Sequence, residues 1–293
     1  MGRAADVYSG GRIDMKAVHI GLRQRRSPAL ASSFFDPDMP AEWRVAFLLN
    51  EQDALWVAGD DPDVDTVLAE LADADVYFHV GLPFEQRLIG KLASLAPDAR
   101  RVNLREHVDL LPMSASCGHC HEHGHGSSHS QGGAYDPHVW LSPARMKTMV
   151  GVMASTLTNM SPSRASEIVA AETTLRARLD RLDATLRAAL DNVTNNAFLV
   201  FHSAWRYFAH DYGLHEISIQ MEGKEPTARE LEATLASAKK HGVTILVTQP
   251  QFSDRLARMV ARETGTRCVE VDPLSPDYAG TLTNFARVLA GEE

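Results

Sequence analysis

The chain alternates short apolar runs with segments whose apolar residues recur every three or four positions, which is the signature of strands and amphipathic helices taken in turn. Up to about Asp65 the pattern is sparse, and only Val45-Ala-Phe-Leu-Leu49 stands out as a strand. Beyond it, Val67, Leu68 and Leu71 predict a helix over Thr66 to Asp73, and Val76-Tyr-Phe-His-Val80 predicts a strand. Gly81-Leu-Pro-Phe-Glu85 turns into a helix near Gln86 to Leu95, and Arg101-Val-Asn-Leu104 reads as another strand. From Pro143 to about Leu190 the reading is helical, broken at Pro162, with Leu175, Leu179, Leu182, Leu186 and Leu190 forming one stripe. A long helix between two α/β regions is a natural rigid connector.

The last third repeats the alternation. Strands are expected at Phe198 to Phe201, His215 to Ile219, Val243 to Thr248 and Cys268 to Val271, with helices between them. Thr227 and Glu230 have the spacing of a capping box, and Gly242 ends that helix. The whole is an α/β protein. Three segments are expected: an N-terminal lobe over 1–142, connecting helices over 143–192 and a C-terminal lobe over 193–293. Within the first lobe, 1–65 is divergent and 114–134, rich in Gly, Ser and His, is a loop.

Composition narrows the function. The 293 residues carry 29 Lys and Arg against 38 Asp and Glu, a net charge of −9. That sign argues against nucleic-acid binding, which needs clustered cations, and gives a divalent cation a mildly attractive field. No apolar run approaches the length of a membrane-spanning helix. Arg23, Arg25 and Arg26 precede only a weakly apolar stretch, Ala29 to Phe35, so no signal peptide is visible. Three cysteines are too few for a disulfide scaffold, and Cys268 is expected as a small buried hydrophobe.

Candidate chemistry concentrates in two places. Cys117, His119, Cys120, His121, His123, His125 and His129 fall within thirteen residues. Thiolate and imidazole suit zinc and the softer divalent metals, and the intervening glycines let them converge. A purification tag would be terminal and uninterrupted. The second place is a set of strand ends. His138 follows Asp136-Pro137, His202 ends an apolar strand, and Asp272 ends another. Ligands of open α/β sheets gather at the carboxyl ends of strands, and two imidazoles with a carboxylate can make a divalent-metal site, although taken singly His202 could cap a helix and Asp272 could cap Pro273-Leu274.

These segments resemble the metal-binding solute-binding proteins of bacterial ABC importers, the zinc and manganese cluster. The resemblance is carried by Ala74-Asp-Val-Tyr-Phe78 with Gly81-Leu-Pro-Phe-Glu85, the His-rich loop, and Asp136-Pro-His-Val-Trp-Leu-Ser-Pro143. It continues through Phe201-His-Ser-Ala-Trp205, Glu222-Gly-Lys-Glu-Pro226, Gln249-Pro-Gln-Phe252 and Asp272-Pro-Leu274. It implies two similar lobes of sheet flanked by helices, joined by a long rigid helix, with the metal in the cleft. His138, His202 and Asp272 then match the family's metal ligands. Manganese-selecting relatives tend to carry Glu where His202 stands, and imidazole favours zinc over the harder ion. The implied activity is capture of Zn²⁺, with no catalysis, and delivery to an ABC-type permease in the inner membrane by a periplasmic monomer. The family's first ligand, a His in a Pro-His-x-Tyr-Glu-Pro segment, has no counterpart in Asp61-Pro-Asp-Val-Asp65. A zinc buffer or surface adhesin without a transport role is the main alternative. A zinc hydrolase using Glu222 or Glu225 as base is a further one, but no H-E-x-x-H motif supports it.

Overall fold

The computed structural model describes the strands at 17–20 and 45–48 and residues 75–113, 135–191, 193–220, 226–250, 254–275 and 277–292. The expected helix over Thr66 to Asp73 lies outside the described residues, as does the whole segment 114–134. The chain divides into two compact units, one made of 1–109, 143–183 and 274–280, the other of 110–142, 184–273 and 281–293.

In the first unit, β1 (Ala17–Ile20) pairs antiparallel with β2 (Val45–Leu48). β1 lies where the sequence showed no clear period. Strand β3 (Val76–His79) runs through helix α1 (Pro83–Leu95) into the parallel β4 (Arg100–Asn103). The turn between β3 and α1 is built around Glu85. Its buried carboxylate accepts the backbone N–H of Val80 at 3.2 Å and of Leu82 at 2.7 Å. Gly81 between them sits at φ +75°, which glycine adopts without strain. Burial lifts the Glu85 carboxyl to about 7, against the pull of the Leu82, Val80 and Gly81 amides and of Arg105. His79, the last residue of β3, is buried and stacks on Tyr77 with ring centres 5.7 Å apart.

Helix α2 (Pro143–Met160) starts on Pro143, whose missing N–H costs nothing at that position. It buries Met146, Met149, Val150, Met153 and Leu157, the i, i+3, i+4 stripe of an amphipathic helix. Pro162 opens a short 3₁₀ turn, and α3 (Ala165–Leu190) follows. Leu179, Leu182, Leu186 and Leu190 are buried as their spacing requires.

The second unit contains a four-stranded parallel sheet in the order β6-β5-β7-β8: β5 is Ala197–His202, β6 is His215–Gln220, β7 is Ile245–Thr248 and β8 is Arg267–Glu270. Between them run α4 (Arg206–Asp211), α5 (Ala228–Lys240) and α6 (Asp254–Thr264), and α7 (Tyr278–Leu289) closes the chain. β5 is apolar and buried from Ala197 to Phe201 because both its faces are covered, as parallel sheets require. Leu199 and Phe201 join Ile217, Ile219 and Leu246 with Ala238 of α5 and with Ala257 and Val260 of α6. The alternate residue Phe198 packs edge-on against Phe285 at 5.5 Å, where Trp205 also lies at 4.0 Å. Each such buried side chain contributes about 1.5–3 kcal/mol. Thr227 and Glu230 form the expected capping box at the start of α5.

One expectation fails. Cys268 is exposed, not a buried hydrophobe. It lies on β8, the edge strand, whose side chains are mostly uncovered.

Candidate metal centre

A polar residue stands at or just beyond the carboxyl end of each of the four strands. His202 closes β5 in register with Gln220, which closes β6. Gln249 follows β7 and Asp272 lies two residues beyond β8. The glutamines are buried, and Gln220 Oε1 and Gln249 Nε2 have no hydrogen-bond partner among the described residues. Sequence reasoning did not name either as a site residue, although Gln249 opens one of the segments that carry the resemblance; an amide at the end of a strand was the available signal.

His138 arrives from outside the sheet. The chain before it is tied down at several points in the second unit. Asp136 N–H donates to the Leu111 carbonyl at 2.9 Å, and the Tyr207 hydroxyl donates to the Asp136 carbonyl at 2.8 Å. Arg206 donates to the Pro112 carbonyl at 2.5 Å, and Pro112 bridges to Tyr135. Pro137 then leaves Asp136 and His138 two residues apart in a tight turn. One carboxylate oxygen, Asp136 Oδ1, accepts the His138 backbone N–H at 2.8 Å and also lies 2.8 Å from His138 Nδ1. This double hold fixes the imidazole: with its proton on Nδ1 facing the carboxylate, Nε2 presents its lone pair outward. Asp136 is buried. Burial alone would raise its carboxyl, but the His138 charge, the hydrogen bonds to His138 and Arg206 outweigh that and hold it below the ordinary range.

The structure brings His138 and His202 together, with ring centres 5.6 Å apart and planes at 77°. A zinc–nitrogen bond of about 2.1 Å puts a ring centre about 3.2 Å from the ion, so tetrahedral partners have centres about 5.2 Å apart. The pair is within a few tenths of an ångström of that spacing. Burial, then the charge of His138, hold His202 down at about 3 against the opposing pull of Asp136. A neutral imidazole is the form a metal needs.

Behind His202 the turn into α4 is organised by Glu216 of β6, another residue that sequence reasoning passed over. Its carboxylate accepts the Ser203 hydroxyl at 2.5 Å and the Trp205 backbone N–H at 2.8 Å. Burial lifts it to about 7; the Ser203 hydrogen bond opposes this, Asp136 adds to it, and His138 and the Trp205 amide oppose it.

Asp272 is linked to the same segment through its neighbour. Trp140, whose ring is 5.2 Å from that of His138, donates its indole N–H to the Pro273 carbonyl at 3.2 Å. Among the described residues, however, no three His, Cys, Asp or Glu side chains stand close enough to share one ion. The two histidines meet, and Asp272 lies at the same edge of the sheet without completing a three-donor group with them. The loop residues Cys117, His119, Cys120, His121, His123, His125 and His129, together with Glu222 and Glu225, lie outside the described residues.

Sequence comparison bears directly on this arrangement. The family profile described as zinc-uptake complex component A, periplasmic, matches residues 64–291, most of the chain and all of the residues just described. The chain belongs to that family. The zinc-binding protein AdcA of Streptococcus pyogenes serotype M3 is 29% identical over 218 residues, covering 71% of this chain and 42% of AdcA. The high-affinity zinc uptake system protein ZnuA of Brucella abortus is 30% identical over 167 residues, covering 54% of this chain and 50% of that protein. The chain therefore spans half or less of the length of these two relatives. Among solved structures, ZnuA has a TM-score of 0.68 at 30% identity, covering 79% of this chain and 83% of that one. A deletion mutant of ZnuA with zinc bound reaches 0.71 at 29% identity, covering 85% and 89%. The family is one of solute-binding components, and the α/β fold with its long helix is shared with these structures.

Proposed function

We propose that this protein, acting in the periplasm as a monomer without catalysis of its own, captures Zn²⁺ at the carboxyl edge of the four-stranded sheet and hands it to an ABC-type permease in the inner membrane. The observation that carries this reading is the His138–His202 pair, spaced for one tetrahedral ion and with His138 held in its ligating orientation by Asp136. Asp272 is the carboxylate donor, drawn onto the ion when zinc binds. Two imidazoles select the borderline ion over manganese, magnesium or calcium, which prefer oxygen. The names of AdcA and ZnuA support zinc as the cargo, and the family description supports the periplasm. No helix among the described residues is long and apolar enough to cross a membrane, which agrees with a permease supplied by another chain. The loop from Cys117 to His129 acts as an auxiliary zinc collector.

Competition titration with Zn²⁺ tests this on the full chain, on His138→Ala/His202→Ala, and on a chain lacking 117–129. Loss of a tight site in the double variant, with its retention in the deletion, supports the reading. Weak binding that disappears only with the loop overturns it in favour of a zinc buffer.

A further inference from the structure

We propose that His215 and His241 form a second, weaker divalent transition-metal site at the opposite edge of the same sheet. His215 opens β6, and His241 is the C-cap of α5, four residues before β7, so both stand at the amino edge. Five residues of strand separate His215 from Gln220, the register partner of His202, which is about 17 Å at the usual rise. The site is therefore distinct from that of His138 and His202.

The ring centres of His215 and His241 lie 5.0 Å apart, with planes at 46°. That is close to the about 5.2 Å expected for two imidazoles on one tetrahedral ion. Both residues are exposed, so an ion with its remaining water ligands can enter. His241 Nδ1 lies 2.9 Å from the Ser237 carbonyl one helical turn back. That contact caps the helix C-terminus and explains one ring nitrogen. It also commits the Nδ1 proton and leaves the Nε2 lone pair for a metal, the arrangement seen when a ligating histidine is braced by a backbone carbonyl.

The backbones of the two histidines are held by adjacent residues. Asn196 O accepts the His215 backbone N–H at 2.7 Å, and Asn195 Nδ2 donates to the carbonyl of Gly242, next to His241, at 2.5 Å. One short segment before β5 thus sets the spacing of both rings, which lowers the ordering cost of chelation. Burial, and then the charge of His241, lower the pKa of His215, so its neutral form is favoured before any ion arrives. Lys239, two residues before His241, is paired with Glu263 at 3.3 Å. Two imidazoles with water suit Zn²⁺, Cu²⁺ or Ni²⁺ and exclude Mg²⁺ and Ca²⁺. The inference does not rest on the cargo reading, because none of its residues belongs to that site.

Histidine-ring NMR on the full chain, titrated with Zn²⁺ alone, provides the test. The rings of His215 and His241 are expected to respond together at one midpoint. His215→Gln or His241→Gln should shift the midpoint of the remaining ring at least about tenfold, since the second contact becomes bimolecular. The His138 and His202 signals should keep their unsubstituted response, which separates this outcome from failure of the cargo site. A remaining ring that titrates at the unsubstituted midpoint, or two rings that never respond, overturns the proposal. A zinc-edge anomalous map from zinc-soaked crystals of the unsubstituted chain decides the matter without a substitution. Density joined to both rings supports the site, and density at one ring or neither overturns it.

Discussion

Strands β3 and β5 end alike, one in each unit. Each finishes on a histidine, His79 and His202, and each runs into a helix through a turn whose backbone amides are held by a deeply placed carboxylate. Glu85 holds the first turn and Glu216 the second, and burial lifts both to about 7. The difference is in the company that the two histidines keep. His79 stacks on Tyr77 of its own strand, and its Nδ1 has no hydrogen-bond partner among the described residues. His202 faces His138, itself braced by Asp136. A strand ending on a histidine is thus common to both units, and only in the second does another, oriented imidazole stand against it, which is the arrangement on which the proposed zinc site rests.

The comparison is broken most decisively by exchanging the two histidines for alanine in turn. Zinc binding of about 10–16 kcal/mol divided over four coordination positions gives about 2.5–4 kcal/mol for each, roughly 70- to 900-fold in affinity. His202→Ala should lose that much in a competition titration, while His79→Ala should lower the unfolding midpoint and leave zinc affinity within about threefold. Equal losses from the two substitutions would end the distinction between them.

The first turn can be probed by its pH dependence together with a substitution. Glu85 sits at about 7 in the folded chain against an ordinary 4.5. The folded state therefore holds a proton that the unfolded state has released between those values, and stability falls as pH rises through them. The difference amounts to about 3 kcal/mol. Urea unfolding at pH 5 and pH 8 should show a loss that is shallower by about that amount in Glu85→Gln, which keeps an acceptor for the turn amides. An unchanged slope would mean that the carboxyl is already ionised at pH 5.

The smallest of these effects sharpens the second half of the comparison. Asp136→Asn removes the charge behind His138 while leaving a side chain of the same shape, and should weaken zinc binding about 10–100-fold, the usual cost of losing a partner behind a ligand. Far-UV circular dichroism should be unchanged. A variant that binds as tightly as the unsubstituted chain would show that His138 needs no bracing.

Much of the secondary structure was legible in the residues. The stripe from Leu175 to Leu190, the break at Pro162, the capping box at Thr227 and the apolar β5 run all announce their elements, because helical and strand periodicity is a local property. Strand β1 was not legible, since four residues in a polar context carry too little period to register. Cys268 misled because a strand's type can be read locally, whereas its place at the sheet edge cannot. His138, His202 and Asp272 were visible as candidates from their flanking prolines and strand ends.

What the sequence determined by itself was the inventory: α/β alternation, donor types suited to zinc, and an acidic chain with no membrane-spanning run. Tertiary structure alone decided which donors meet. It set His138 against His202, put Asp136 behind one imidazole and Glu216 behind the turn of the other, and left Asp272 on the same edge without completing a three-donor group. It also paired His215 with His241, twenty-six positions apart in the chain. The physical reason is that coordination depends on distances of a few ångströms between side chains on different elements. Those distances are set by strand order and by tethers such as Tyr207 to Asp136 and Trp140 to Pro273, which no local pattern encodes.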